Sequence, residues 1–419
     1  MDLSEVVITS DTQNKQSNCC IYDLKTGSLL SSYKGHNNTP RTLAMINGDF
    51  LISGVQNQPI LKVWTVSKKI NQEEKLFVPG IVSSLTVSNC GHYCAAAIQK
   101  NIYLWAIKNG TLITVLSRHF QNITSLKFSS DGSHILSGGM DALVMVWMLA
   151  QALITENNDP RFVWRHHTQA ITDIHVGSLG IYSRVATTSL DMTCRIYELD
   201  TGKLLLSICM DNRLTSVAMD PAEYYLILGT DKGSIYRVDL YKCDKSEMAI
   251  EANDCEYEFE FKGHSKKINS LSISTFGTTL VSGSEDKTCK MWDIATLSCL
   301  KTTPHEGPVT NAFTAMKPLA ISDEKAKPSF FIKEFGRTPG KRYLDYSLTE
   351  IQDKEVSLLK ADSIDAYYNS ALLRGADHLL SEPEDMKQAI TELRDVNSQL
   401  YAHCLNSIAD VVMGFEEGL

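Results

Sequence analysis

The sequence predicts an all-β protein, a closed ring of seven small sheets that forms a seven-bladed β-propeller, followed by a C-terminal α-helical, coiled-coil-like tail. Two observations lead to this prediction. An apolar strand, an Asp-containing turn and a second strand ending in an aromatic residue recur at roughly 40 to 50 residues, a spacing typical of propeller repeats. The segments at the N-terminus also lack one strand, which a segment near residue 309 can supply.

The repeat is clearest in three stretches, each preceded by a histidine. These stretches are Ile135–Trp147, Val185–Tyr197 and Leu280–Asp293. An apolar strand begins four residues after each histidine. Weaker copies around Trp64, Trp105 and Tyr236 fill the gaps between them. All these strands are short, rich in β-branched and aromatic residues, and separated by Gly, Asn and Asp turns, as an all-β array requires.

The two ends of the repeat region predict how the ring closes. Only three strand-like segments lie between residues 5 and 34, and their inner strand is missing. After the last full repeat, the segment around Val309–Phe313 reads as one extra inner strand. We therefore predict a propeller over residues 1–316, with the first blade closed by a strand near 309–316, because an open ring would expose sheet edges.

Histidine, a hydroxyl residue, aspartate and an aromatic residue recur together at matched spacing. The sets are His119, Ser137, Asp141 and Trp147; His167, Thr187, Asp191 and Tyr197; and His264, Ser282, Asp286 and Trp292. A Ser-His-Asp hydrolase needs one such set, whereas a structural hydrogen-bond network can occur in every blade. We therefore expect a protein that is not an enzyme, with no catalytic residue and no cofactor. The 11 scattered cysteines form no CxxC pair, which predicts reduced thiols and no metal site.

The chain after the ring predicts two further regions. Residues 317–346 read as an irregular strap or linker, and adjacent Phe330, Phe331 and Ile332 favour docking on the propeller over a disordered linker. Residues 347–419 read as a helical tail with a coiled-coil-like segment at 384–413. The apolar seam of that segment comprises Met386, Ile390, Leu393, Asn397, Leu400 and Cys404. A buried Asn in such a seam favours a parallel homodimer, while a helix packed on its own propeller is the alternative.

Composition and charge narrow the class of protein. The 419-residue chain is 43% hydrophobic and 21% charged, which is typical of a globular protein. A net charge of -9 argues against a free-standing nucleic-acid binder, although it leaves local basic spots open. The N-terminus lacks the pattern of a signal peptide and no apolar run is long enough to span a bilayer. We therefore expect a soluble, intracellular protein without a membrane partner.

Several short sequence segments contain residues that the general repeat pattern does not require. They include Arg118–Asn122, Ser133–Gly139, Val163–His167, Arg184–Asp191 and Gly307–Ala312. In these segments the chain resembles the family of WD repeat-containing protein eighteen. The resemblance extends over the whole propeller and, faintly, into the tail. Residues 317–380 match no phrase of that family.

The resemblance implies a scaffold subunit of a nucleolar complex that escorts the precursor of the large ribosomal subunit (pre-60S). Its implied partners are a proline-, glutamate- and leucine-rich helical-repeat scaffold protein, testis-expressed protein ten, and the remodelling ATPase midasin with the pre-60S particle. The implied role is support for removal of an internal transcribed spacer from rRNA, in the nucleolus and nucleoplasm and also in the cytoplasm. An assembly factor for replication-origin licensing or chromatin, and a propeller that binds RNA directly, are the alternatives.

Overall fold

The computed structural model describes residues 4–13, 18–34, 37–67, 73–154, 159–240, 249–250, 259–322, 328, 330 and 332–338. Within these ranges the strands form seven separate sheets, one for each blade of a β-propeller. The predicted all-β, seven-bladed architecture is therefore confirmed. The inner strands of successive blades lie beside one another from blade 2 to blade 7 and from blade 7 to blade 1. A buried apolar cluster joins blades 1 and 2, so each blade covers the apolar face of the next.

The blades are antiparallel meanders, numbered here in chain order and given from the inner strand outward. Blade 1 contains Val309–Met316, Glu5–Asp11, Cys19–Asp23 and Leu29–Tyr33. Blade 2 contains Ala44–Ile46, Phe50–Gly54, Ile60–Thr65 and Glu73–Phe77. Blade 3 contains Val82–Val87, Tyr93–Ile98, Asn101–Ala106 and Leu112–Ser117. Blade 4 contains Ile123–Phe128, His134–Gly139, Val144–Met148 and Phe162–Trp164.

The remaining three blades follow the same plan, and one of them carries an extra strand. Blade 5 contains Ile171–Val176, Arg184–Ser189, Thr193–Glu198, Leu204–Cys209 and, parallel to the last, Ala249–Ile250. Blade 6 contains Leu214–Met219, Tyr225–Thr230, Ile235–Asp239 and Glu260–Phe261. Blade 7 contains Ile268–Ile273, Thr279–Ser284, Thr288–Asp293 and Cys299–Pro304.

Blade 1 joins the two ends of the repeat region. Its inner strand, Val309–Met316, pairs antiparallel with Glu5–Asp11, with Ile8 opposite Phe313. The Ser10 hydroxyl lies 2.9 Å from the Thr310 hydroxyl in the same buried seam. Two strands from opposite ends of the repeat region thus complete one sheet, and the ring has no unpaired inner edge at this point.

The core lies between adjacent blades. The seven apolar clusters each draw on neighbouring sheets, and the fully buried large side chains include Trp64, Trp105, Trp147 and Trp292. Alternating strand residues therefore fill both faces of each blade, as expected for a sheet that is covered on both sides. The sequence did not predict the short helix Leu149–Ile154 after the third strand of blade 4, the 3₁₀ turn Gly180–Tyr182 or the helical turn Leu319–Ser322.

The residues after the ring dock between blades 2 and 3. Phe330 contacts Phe50 with ring centroids 5.5 Å apart, and Ile332 and Phe335 are buried in the cluster shared by these blades. The Phe335 ring stacks on Trp105 at 5.1 Å, and the Trp105 indole N–H donates to the Gly336 carbonyl at 2.8 Å. This segment, residues 330–338, is called the strap below. A short helix, Leu319–Ser322, precedes it.

The predicted tail, 347–419, and its seam at 384–413 lie outside the described residues. Among the residues that the structure covers, no helix is long and apolar enough to cross a membrane.

Each antiparallel blade has two ends. One end is formed by the hairpins between second and third strands and by the connections from an outer strand to the next inner strand. We call it the His end. The loops that link inner to second strands form the opposite end.

Candidate functional site: buried networks and loop surfaces

Blade 7 contains the most complete polar network. The Nδ1 atom of His264 lies 2.8 Å from Oδ2 of Asp286, and its Nε2 atom lies 2.7 Å from the Ser282 hydroxyl. The indole N–H of Trp292 donates to the same hydroxyl at 2.8 Å. Asp286 stands in the hairpin after the second strand and His264 in the connection from blade 6, so the network ties two loops of the His end to the sheet.

The proton arrangement follows from these distances and from burial. Burial lowers the pKa of His264, and the hydrogen bond to Asp286 offsets this only in part, so the ring is neutral. Burial alone would raise the pKa of Asp286, but hydrogen bonds from Thr288 and His264 hold it below its usual range. A neutral ring that donates from Nδ1 to the carboxylate accepts at Nε2 from the Ser282 hydroxyl. The hydroxyl oxygen then accepts the indole N–H, and each buried polar group has a partner.

Blade 4 repeats this arrangement. His119 Nδ1 lies 3.0 Å from Asp141, His119 Nε2 lies 2.8 Å from the Ser137 hydroxyl, and the Trp147 indole donates to Ser137 at 3.0 Å. The Asp141 carboxylate also accepts the backbone N–H of Phe120 at 3.0 Å. The four predicted residues of this set are therefore linked by hydrogen bonds, from Asp141 through His119 and Ser137 to Trp147.

Blade 5 differs from the sequence-based expectation at its aromatic residue. His167 contacts Asp191 at 3.0 Å and the Thr187 hydroxyl at 2.9 Å, as in the other sets. Tyr197, however, does not bond to Thr187; its hydroxyl lies 3.2 Å from Nδ1 of His166. The phenol ring stacks on Trp164 with centroids 4.0 Å apart. A phenol hydroxyl extends along the ring axis, whereas an indole N–H points sideways, so Tyr197 cannot reproduce the bond that tryptophan makes.

The partners of two further residues, His305 and Trp105, were not predicted, because one partner is distant in sequence and the other is a backbone carbonyl. His305 Nδ1 lies 3.7 Å from Oδ2 of buried Asp11, across the junction where the ring closes. In blade 3, Ala96 stands opposite the residue two positions before Trp105, where Ser137 stands in blade 4. The Trp105 indole bonds to the strap carbonyl of Gly336 instead. His305 precedes the Val309–Met316 strand by four residues, the spacing of His119, His167 and His264, but this spacing does not identify Asp11 as its partner.

These networks cannot support nucleophilic catalysis. Ser137, Thr187 and Ser282 are fully buried, and the serine oxygens already accept an indole N–H. A hydroxyl without access to solvent cannot reach a substrate carbonyl. Among the described residues, no cluster of His, Cys, Asp and Glu is arranged to hold a metal ion.

The central channel contains a cavity of about 380 Å³ that is lined mainly by inner-strand residues. Arg41 of the blade 1–2 connection reaches across to blade 5, where its Nε lies 3.4 Å from Asp173, and to blade 6, where it donates to the Thr215 carbonyl at 2.8 Å. His175 also lines the channel, and burial beside Lys127 lowers its pKa to about 4. Arg41 therefore cross-links blades 5 and 6 through the channel.

Large exposed apolar side chains concentrate on the loops of the two ends. Ile81, Phe120, Met140 and Met192 lie on the His end. Leu179, Tyr182, Tyr224 and Phe276 lie on the opposite end. Scattered exposed apolar residues are common on soluble proteins, whereas clusters on one face mark surfaces that bind other molecules. The exposed apolar loops at the two ends of the propeller are therefore candidate surfaces for binding other molecules.

Comparisons with known proteins agree with this architecture. The family model described as WD domain, G-beta repeat matches residues 110–148 and 255–293, which cover parts of blades 3, 4, 6 and 7. WD repeat-containing protein 18 of Danio rerio is 38% identical over 80% of this chain and 78% of its own length. WD repeat-containing protein 18 of Bos taurus is 34% identical over 95% of this chain and 96% of its own length.

A more distant relative is the pre-rRNA-processing protein pro-1 of Caenorhabditis elegans. It is 28% identical over 71% of this chain and 58% of its own length. The similarity to the two vertebrate proteins covers 80% and 95% of this chain, at an identity that reflects common descent. The chain is a non-catalytic WD-repeat scaffold and belongs to the family of WD repeat-containing protein 18.

Proposed function

We propose that this chain is a scaffold subunit of a nuclear complex that matures the precursor of the large ribosomal subunit. The observation that supports the proposal most is the similarity over 71% of the chain to a protein named for pre-rRNA processing. Precursor rRNA is made and processed in the nucleus, so the proposal places the chain in the nucleolus and nucleoplasm, with the cytoplasm as a further compartment.

In this proposal the chain contributes binding and geometry, and its partners contribute chemistry. A closed propeller is rigid because each blade packs on two neighbours, and its two ends and rim can hold several ligands at fixed distances. The partners we propose are the proline-, glutamate- and leucine-rich helical-repeat scaffold and testis-expressed protein ten. Together they support removal of an internal transcribed spacer and recruit the ATPase midasin to the pre-60S particle.

The tail adds a second proposed element. Its seam residues would pair two copies of the chain through a parallel coiled coil, in which the two Asn397 side chains meet and hydrogen-bond. A dimer presents two propellers to one large particle, and the second contact is then intramolecular, which raises avidity without any new interaction.

Depletion of the chain from its own cells tests the proposal. Precursors that retain the internal transcribed spacer of the large-subunit rRNA should accumulate within a few divisions, while small-subunit precursors stay at normal levels. Re-expression of the wild-type chain should reverse the accumulation. Unchanged precursor levels together with a block in origin licensing or chromatin assembly would contradict the proposal and favour the alternative role.

A further inference from the structure

The His end of blades 3 to 5 carries exposed apolar side chains that the ring itself does not use. Phe120 is 81% exposed, Met140 is 51% exposed and Met192 is 41% exposed. The backbone holds the first two together: Phe120 N–H donates to Asp141 at 3.0 Å, and Met140 N–H donates to the Asn122 carbonyl at 2.8 Å. Phe120 and Met140 therefore project from loops whose backbone is held by hydrogen bonds. Because these loops are already ordered, less conformational entropy is lost when the two side chains bind a partner.

Basic residues flank this apolar pair on both sides. Asn101 pairs with Ser117, so Lys100 and Arg118 stand next to each other at the end of blade 3. Val144 pairs with Trp164, so Arg165 stands beside the hairpin that carries Met140. Lys100, Arg118 and Arg165 are all exposed. Three cationic side chains thus lie at the rim of the exposed apolar pair.

The acidic side chains near these loops already have partners within the fold. The side chains of Asp141 and Asp191 are 6% and 7% exposed and contact His119 and His167. Asp159 forms an ion pair with Arg118. Lys100 and Arg165 form no ion pair with any residue that the structure describes. A chain of net charge -9 thus presents a local basic surface at this end.

We propose that Phe120, Met140, Lys100 and Arg165 form a docking surface for an acidic peptide segment that carries an aliphatic or aromatic anchor. The anchor packs on Phe120 and Met140, and carboxylates before and after it pair with Lys100 and Arg165. An apolar centre with a charged rim is the arrangement in which few residues dominate binding. RNA fits less well, because Phe120 supplies one exposed aromatic ring to this surface and a single ring gives little base stacking.

Selection from a random peptide library against the full-length chain tests the surface. The selected peptides should combine Asp or Glu with Leu, Phe or Trp, and their affinity should fall as salt is raised to about 0.5 M. Lys100→Glu and Phe120→Ala should each weaken the best peptide by about tenfold or more. Phe276→Ala, at an aromatic residue 58% exposed on the opposite end, is the matched control and should leave binding unchanged.

Both test substitutions are at exposed positions, so they should leave the melting temperature unchanged. Selected peptides that are neutral or basic would overturn the proposal, as would acidic peptides whose affinity is insensitive to Lys100→Glu and Phe120→Ala. Tight binding of a poly-uridine oligonucleotide, lost with Lys100→Glu while peptides fail to bind, would assign the surface to RNA instead. The inference deepens the proposed scaffold role, but peptide affinity reports on the surface and precursor levels report on the role, so either can fail alone.

Discussion

Replacement of Ser282 by alanine should destabilise the propeller without affecting any chemistry. The Ser282 hydroxyl is fully buried and serves both His264 Nε2 at 2.7 Å and the Trp292 indole N–H at 2.8 Å. Alanine removes both bonds at once and leaves two buried polar atoms without a partner. Each orphaned group costs about 1–3 kcal/mol, and relaxation recovers part of this, so we expect a loss of roughly 2–4 kcal/mol in the free energy of unfolding.

Calorimetry of the purified full chain measures this loss, with Ser265→Ala as the control. Ser265 is exposed and lies in the same connection, and only its backbone N–H contacts Asp286, so its substitution should change stability by less than about 0.5 kcal/mol. Trp292→Phe in the Ser282→Ala background should cost less than in the wild type, because the shared bond is already lost. A Ser282→Ala protein as stable as the wild type would refute the structural role of the network.

Four further predictions concern other parts of the chain. Phe335→Ala should cost about 2–4 kcal/mol and detach the strap, seen as faster amide exchange in blades 2 and 3 with blade 7 unchanged; uniform exchange would contradict docking. Deletion from residue 306 onward should expose an open edge and cause aggregation, whereas a soluble, cooperatively folded product would refute closure. Light scattering should show a dimer for the full chain and a monomer for a chain ending at residue 380; two monomers, with Asn397→Leu without effect, would exclude the coiled coil. Because the pKa of His175 is lowered to about 4, the unfolded chain binds a proton below about pH 6.5 that the folded chain excludes. Stability should therefore fall between pH 6.5 and 4, by about 1–3 kcal/mol, and His175→Gln should reduce this slope.

The blade count was predictable because it depends on a repeated pattern. His119, His167 and His264 precede inner strands at constant spacing, and each repeat supplies one sheet. The short helix Leu149–Ile154 was not predictable, since a brief apolar run after a strand does not distinguish helix from strand. The strap was expected from adjacent aromatic residues at Phe330.

The contacts that hold the strap and the weaker networks were beyond prediction for a different reason. Every residue type has a backbone carbonyl that can accept a hydrogen bond. The sequence therefore does not indicate that Trp105 will donate to the carbonyl of Gly336. The partnership of His305 with Asp11 requires the ring to close first, because residues from opposite ends of the repeat region meet only then. Tyr197 was assigned by position alone, and position does not fix the direction in which an aromatic side chain donates.

Affinity purification of the tagged chain from its own cells, followed by sequencing of bound RNA and identification of bound proteins, tests the central claim most directly. We expect to recover large-subunit precursor rRNA that retains its internal transcribed spacer, together with a helical-repeat scaffold and a remodelling ATPase. A tagged Ser265→Ala chain should recover the same set, since it leaves the ring intact. Recovery of replication-licensing or chromatin proteins without precursor rRNA would contradict the account.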